Sequence, residues 1–171
     1  IRTTPQTIYD AVESDEDALG SHTPYVLRRE LSKRGGKNLM RKSLRDFGKK
    51  SGLYQDVKVH NFGRSDESIS GSGAPFEVGV VLESNPINLP YVGYGVSQVL
   101  PIIVDMIRGE NSQDYVIQQP EVHLHPKAQA ALGEFVFEFA SLQDKCFFIE
   151  THSDYLIDRF RLSMSTASKE T

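Results

Sequence analysis

The sequence predicts an α/β fold built on parallel strands, and three features carry that prediction. Two short apolar runs, Tyr115–Ile117 and Cys146–Ile149, flank a helical pattern that opens on Pro126 and places Leu132, Phe135, Val136 and Phe139 on one face. Proline suits the first position of a helix, where its missing N–H costs nothing. Two strands joined by a helix over about 37 residues form a βαβ crossover with parallel strands. The run Cys146–Ile149 is too short for a helix and suits a strand buried on both faces, with Cys146 inert inside it. The crossover brings Gln118 and Gln119 to the same C-terminal edge as Glu150, Thr151 and His152, where open α/β sheets bind ligands.

The elements before this unit read as a mixed α+β segment. Residues 1–23 are polar, with an acidic run at Glu13–Asp17, and form a linker or surface loop. From Pro24 to Lys50 the spacing of Leu27, Leu31, Leu39, Leu44 and Phe47 predicts two short helices interrupted at Gly35 and Gly36. Strands are expected at Gln55–Val59 and Phe76–Leu82, on either side of a Gly/Ser-rich loop at Gly63–Gly73. Gly93 and Gly95 flank Tyr94 ahead of an apolar helix, Val99–Ile107, with Pro101 expected in its first turn. The polar stretch Ser163–Thr171 is expected to be a tail cut short. The chain thus divides into 1–88, 89–162 and 163–171.

Composition sets outer limits. With 171 residues and 39% hydrophobic content the chain can bury one core. Its single cysteine excludes an intrachain disulfide framework and a cysteine zinc cage, as expected of a reducing, cytoplasmic compartment. No apolar run approaches membrane-spanning length. The net charge of −4 argues against wholesale coating of nucleic acid, yet Arg28 to Lys50 carries ten Lys or Arg against two acids. Arg28, Arg29, Lys33, Arg34, Lys37, Arg41, Lys42 and Arg45 are the candidate DNA contacts, and a solvated helical face is the alternative.

Three ordered segments are similar to the C-terminal half of an ABC-type ATPase head. Gly93-Tyr94-Gly95-Val96-Ser97-Gln98-Val99-Leu100-Pro101 resembles the signature motif of AAA-type bacterial ATPases related to the OLD and SMC groups. Ile117-Gln118-Gln119-Pro120-Glu121-Val122-His123-Leu124-His125-Pro126 resembles their Walker B and D-loop, and Ile149-Glu150-Thr151-His152-Ser153 their switch histidine segment. The resemblance covers roughly residues 89–162. It implies a P-loop NTPase core, ATP and Mg2+ as ligands, and a pair of heads that sandwich ATP. Gly93, Gly95, Ser97 and Gln98 would then act on the γ-phosphate in trans, since freed backbone amides and a helix N-terminus suit an anion. His123 and His125 would lie in the D-loop at the interface.

The chain departs from that pattern at Walker B. An acid normally holds the magnesium shell there and a glutamate follows it to orient or deprotonate water. Gln118 and Gln119 are neutral amides instead. Gln118 can position a magnesium-bound water but neither amide is a useful base. Hydrolysis is expected to be slow, with Glu121 as the substitute acid and His152 polarising the γ-phosphate. No Gly-x-x-x-x-Gly-Lys-Ser/Thr occurs: Gly48-Lys49-Lys50-Ser51 has the wrong context and Gly71-Ser72-Gly73 has no lysine after it.

The expected function is an ATP-gated head whose dimerisation, or higher assembly, switches an attached or partner effector. By family analogy that effector is a nuclease serving DNA repair or antiphage defence. Two rivals stand beside it. One is a non-hydrolysing nucleotide sensor or scaffold. The other is a metal-dependent hydrolase built on His123, His125, His152 and Glu121, because His-x-His on an extended segment points both rings to one side.

Overall fold

A computed structural model of the chain describes residue 9 and residues 20–33, 39–62, 74–109, 112–143 and 145–169. The elements run α1 (Thr23–Ser32), α2 (Leu39–Ser51), β1 (Asp56–Asn61), β2 (Phe76–Val81), β3 (Pro86–Asn88), a 3-10 turn (Leu89–Tyr91), α3 (Tyr94–Arg108), β4 (Asp114–Gln118), α4 (Pro126–Leu142), β5 (Cys146–Glu150) and α5 (Asp154–Ala167). The anticipated break at Gly35–Gly36 and the loop at Gly63–Gly73 lie outside the described residues.

α2 shows why the basic segment is helical. Met40, Leu44, Phe47 and Ser51 recur at three- and four-residue intervals and, with Gly48 beside Phe47, are the buried positions, while the lysines between them stay out. Burial of Met40, Leu44 and Phe47 is worth about 1.5–3 kcal/mol each. Phe47 meets Phe135 of α4 edge-on at 5.5 Å, which fastens the N-terminal helices to the crossover helix. β1, β2 and β3 form an antiparallel sheet in sequence order, with Asp56 opposite Val81 and Val80 opposite Ile87. The three-residue β3 had no signal in the sequence.

α3 is the central helix: Val96, Val99, Leu100, Ile103, Val104, Met106 and Ile107 are all buried. It begins five residues before the expected Val99, because the Gly93 carbonyl already accepts from Val96 N at 3.0 Å and sets the helical register there. Pro101 consequently sits inside the helix rather than in its first turn. Its ring is packed close beneath Gly20, where an added Cβ would stand 2.8 Å from Pro101 Cβ.

The βαβ unit is present as expected. β4 and β5 pair in parallel, from Asp114 opposite Cys146 to Gln118 opposite Glu150, and α4 connects them from Pro126. α5 packs along α4 at Gly133, where a Cβ would come within 2.3 Å of the Leu156 carbonyl oxygen. It continues to Ala167, so residue 162 is not an element boundary. A further expectation is overturned. β5 is covered on one side only: Phe147 and Ile149 face the core, whereas Cys146 and Phe148 are exposed, as is Val116 opposite Phe148 on β4. No described element packs over that second face, so Cys146 is an accessible thiol rather than a buried one.

Candidate functional site

Three segments meet beyond the C-terminal ends of β4 and β5. The first is the start of α3. Gly93 caps it and lies open, with no atom within 4 Å of an added Cβ. Gly95 is buried, and a Cβ there would stand 2.7 Å from the His123 carbonyl oxygen and 3.2 Å from Leu124 Cδ2. The missing side chain at 95 is what lets the helix rest directly on the turn after β4. Ser97 is nearly buried and donates its hydroxyl to Tyr94 O at 3.0 Å, within its own helix. Gln98, one position on, is half-buried.

The second segment is the turn between β4 and α4. Gln119 and His123 both take positive φ, +46° and +67°, which β-carbon-bearing residues adopt at a cost. The turn stays tight because Leu124 N donates to Glu121 O at 2.9 Å and Gln119 N to Glu150 O at 2.8 Å. His123 packs its ring edge-on against Tyr94 at 5.1 Å. His125 caps α4, its Nδ1 accepting from Ala128 N at 3.4 Å. The two histidines do not share an extended segment, and their rings serve different partners. Among the described residues no three His, Cys, Asp or Glu side chains are grouped to hold a metal ion. The cluster of His123, His125, His152 and Glu121 on which the hydrolase reading rests is therefore not assembled among the described residues.

The third segment, Thr151–Ser153, is tied to the second by two bridges. Glu121 is buried, and its Oε1 accepts from His152 N at 2.7 Å. Its Oε2 is buried without a partner among the described residues. Four residues into α4, Gln129 donates to Leu124 O at 2.8 Å and accepts from Ser153 Oγ at 2.6 Å. Ser153 in turn caps α5 by accepting from Leu156 N at 3.0 Å. The imidazole of His152 stands exposed at the edge while its backbone is fixed. Gln118, exposed at the end of β4, donates from Nε2 to Glu150 Oε2 at 2.9 Å. Sequence reasoning missed Gln129 as a bridge and Glu150 as a partner of Gln118. The second was available from the register of the strand ends, the first only from the path of the turn.

The basic segment is placed differently from the expected patch. Arg28 lies over the Phe76 ring at 4.7 Å. Arg29 and Lys33 both pair with Glu30, Arg41 donates to Leu31 O at 3.0 Å, and Arg45 binds Asp56 at 2.7 Å. Lys50 bridges Glu134 and Glu138; partial burial works against its charge, but the two carboxylates outweigh it and hold its pKa above the ordinary value. Lys42 is exposed on α2, and Arg34 and Lys37 lie outside the described residues. Much of the positive charge is thus answered within the chain. No helix among the described residues is long and apolar enough to cross a membrane.

With this geometry in view, comparison with known proteins decides the family. The profile of the AAA ATPase domain family matches residues 17–157, most of the chain. The chain belongs to the AAA ATPase domain family. This AAA ATPase domain is also similar in fold to an SMC head solved in complex with the C-terminal winged-helix domain of ScpA. The TM-score there is 0.53 at 11% identity, over 70% of this chain and 36% of the other. A second similar structure, from work on ATP-driven dimerisation and DNA-stimulated activation of SMC ATPases, gives a TM-score of 0.48 at 11% identity, over 80% of this chain and 77% of that one. The chain spans about a third of the first SMC head. No curated protein matches it in sequence. The P-loop NTPase-like α/β fold and the partial ATPase head are therefore in place.

Proposed function

We propose that this AAA ATPase domain is the signature-bearing part of an ATP-binding head that dimerises around nucleotide and turns it over slowly. The observation that supports it best is the fastening of three motif segments into one body, the start of α3 resting on His123 through Gly95, and the Glu121 carboxylate reaching His152. A γ-phosphate gripped in trans by Gly93, Gly95, Ser97 and Gln98 would meet the amides and positive end of α3. The P-loop is supplied by polypeptide outside these 171 residues, which contain none. Magnesium fits the donor chemistry of the strand edge, because Gln118 and its neighbours offer hard oxygen atoms, and bound there it would neutralise phosphate charge. The chain's own part is to hold the ligand waters at Gln118, to present His152 to the γ-phosphate, and to bring His123 and His125 to the facing head. Turnover is slow because Gln118 and Gln119 offer no base. Dimerisation switches an attached or partner effector; a nuclease in DNA repair or antiphage defence suits the fold by analogy.

Sedimentation of the full-length protein tests this reading. ATP with Mg2+ should shift the wild type from one head to two. Gly93→Glu has open space around its side chain, so it should fold normally while placing a negative charge at the α3 N-terminus and abolishing the shift. Dimerisation that ignores ATP, or a Gly93→Glu protein that still dimerises with it, counts against the proposal. Dimerisation without phosphate release would favour the scaffold reading, which the two glutamines also support.

A further inference from the structure

Resting on the nucleotide reading above, we infer that Glu150 is the acid of the magnesium site, moved one strand sideways from the position where β4 carries Gln118. A hydrated divalent cation beside phosphates calls for one or two carboxylates, and neutral amides alone do not supply them. The strand edge offers few. Glu121 is withdrawn into the protein, one oxygen committed to His152 N and the other buried. Asp154 belongs to the first turn of α5, beyond the switch segment. Glu150 is the last residue of β5, exposed, and the register partner of Gln118.

The pairing of the two side chains is what separates this from a carboxylate that merely sits nearby. Residues 114, 116 and 118 of β4 lie on one face, as do 146, 148 and 150 of β5, and in both strands these are the exposed positions. Gln118 and Glu150 therefore emerge side by side on the last rung of the pair. The Gln118 amide donates to Glu150 Oε2 at 2.9 Å, which orients the carboxylate. Gln118 Oε1 and Glu150 Oε1 have no protein partner among the described residues. Charge and orientation, which one acidic side chain would combine at position 118, are divided between two residues on neighbouring strands. Adjacent strands lie about 4.8 Å apart. A magnesium ion that keeps several of its waters can be held across that distance through one of them.

The test uses the full-length protein and a fluorescent ATP analogue titrated with and without Mg2+, with Mn2+ binding followed by electron paramagnetic resonance. Glu150→Gln changes one exposed atom and should fold normally. It should lose at least tenfold of the metal-dependent gain in nucleotide affinity, weaken the Mn2+ signal, and leave metal-free binding unchanged. Gln118→Glu combined with Glu150→Gln returns the acid to β4 and should recover most of both. Wild-type metal dependence in Glu150→Gln overturns the assignment. So does a loss that the double substitution leaves in place, since it would then report altered strand ends rather than a missing charge. If the wild type binds no nucleotide at all, the head proposal fails and this one with it; if the wild type binds and Glu150→Gln matches it, this one alone fails.

Discussion

Replacing Glu121 with alanine separates local from global effects, because two opposing contributions can be weighed from the structure. The substitution removes the 2.7 Å hydrogen bond from His152 N, and a bond to a carboxylate contributes about 1.5–3 kcal/mol. It also removes the buried, unpartnered Oε2, whose desolvation costs about 1–3 kcal/mol. These nearly cancel, so the melting temperature should move by no more than a few degrees, at about 2–4 °C per kcal/mol for a chain of this size. The His152 amide keeps none of that compensation. Its exchange with solvent should accelerate by about ten- to 150-fold, the same 1.5–3 kcal/mol read at about 1.4 kcal/mol per decade. Hydrogen exchange followed by mass spectrometry over residues 149–153, beside a thermal melt, measures both quantities. Unchanged exchange in that segment would refute the bridge. A large drop in melting temperature would show instead that Oε2 is satisfied and that the carboxylate is a structural keystone.

Two further predictions follow from the same geometry. Gly95→Ala must open the 2.7 Å approach to His123 O toward ordinary contact, a shift of about 0.7 Å, which as overpacking costs about 1–3 kcal/mol and is partly offset by about 1 kcal/mol of better helix propensity. Urea unfolding should therefore show a loss of about 0–2 kcal/mol, while ATP-driven dimerisation suffers far more; equal losses in both would deny the signature loop a special role. Asp56 gives a pH test. Its burial raises the carboxyl pKa, but the hydrogen bond and charge of Arg45, the Val57 N–H and the charge of Arg41 together hold it below the ordinary value. A depressed folded pKa contributes stability above the unfolded value of about 3.9 and loses it as pH falls through the folded one. Asp56→Asn should cost about 1 kcal/mol at pH 7, discounted because the Arg45 side chain is 45% exposed, and progressively less as the pH falls below the unfolded value and through the folded one. A difference that stays constant across that range would refute the linkage.

The sequence was most legible where local chemistry and topology agreed. Pro126 marked the start of α4, the apolar runs marked β4 and β5, and a parallel crossover then left no choice about which residues share an edge. Legibility failed where a distant partner decides. The run Cys146–Ile149 reports the environment a strand is suited to, not what lies over it in this chain, which is why two-sided burial was expected although no described element covers one face. Pro101 reads as a residue of the first helical turn by local rules, but the Gly93 carbonyl fixes the start of α3 at Tyr94, seven residues before it. The bridge from Glu121 to His152 spans 31 positions, and no periodicity announces it. A stretch dense in Arg and Lys looks like a patch for phosphates until its carboxylate partners on α1, β1 and α4 are seen beside it.

The side of β4 and β5 that no described element covers also gives the chain a native chemical footprint. Cys146 stands two residues from Phe148 on that side and is the only thiol in the sequence. A body that settles over Val116 and Phe148 shields the sulfur from alkylation, and one that docks elsewhere leaves it as reactive as before. Labelling kinetics at one natural atom can thus distinguish a body packed over this face from one that docks elsewhere. Docking can then be followed without introducing a foreign probe.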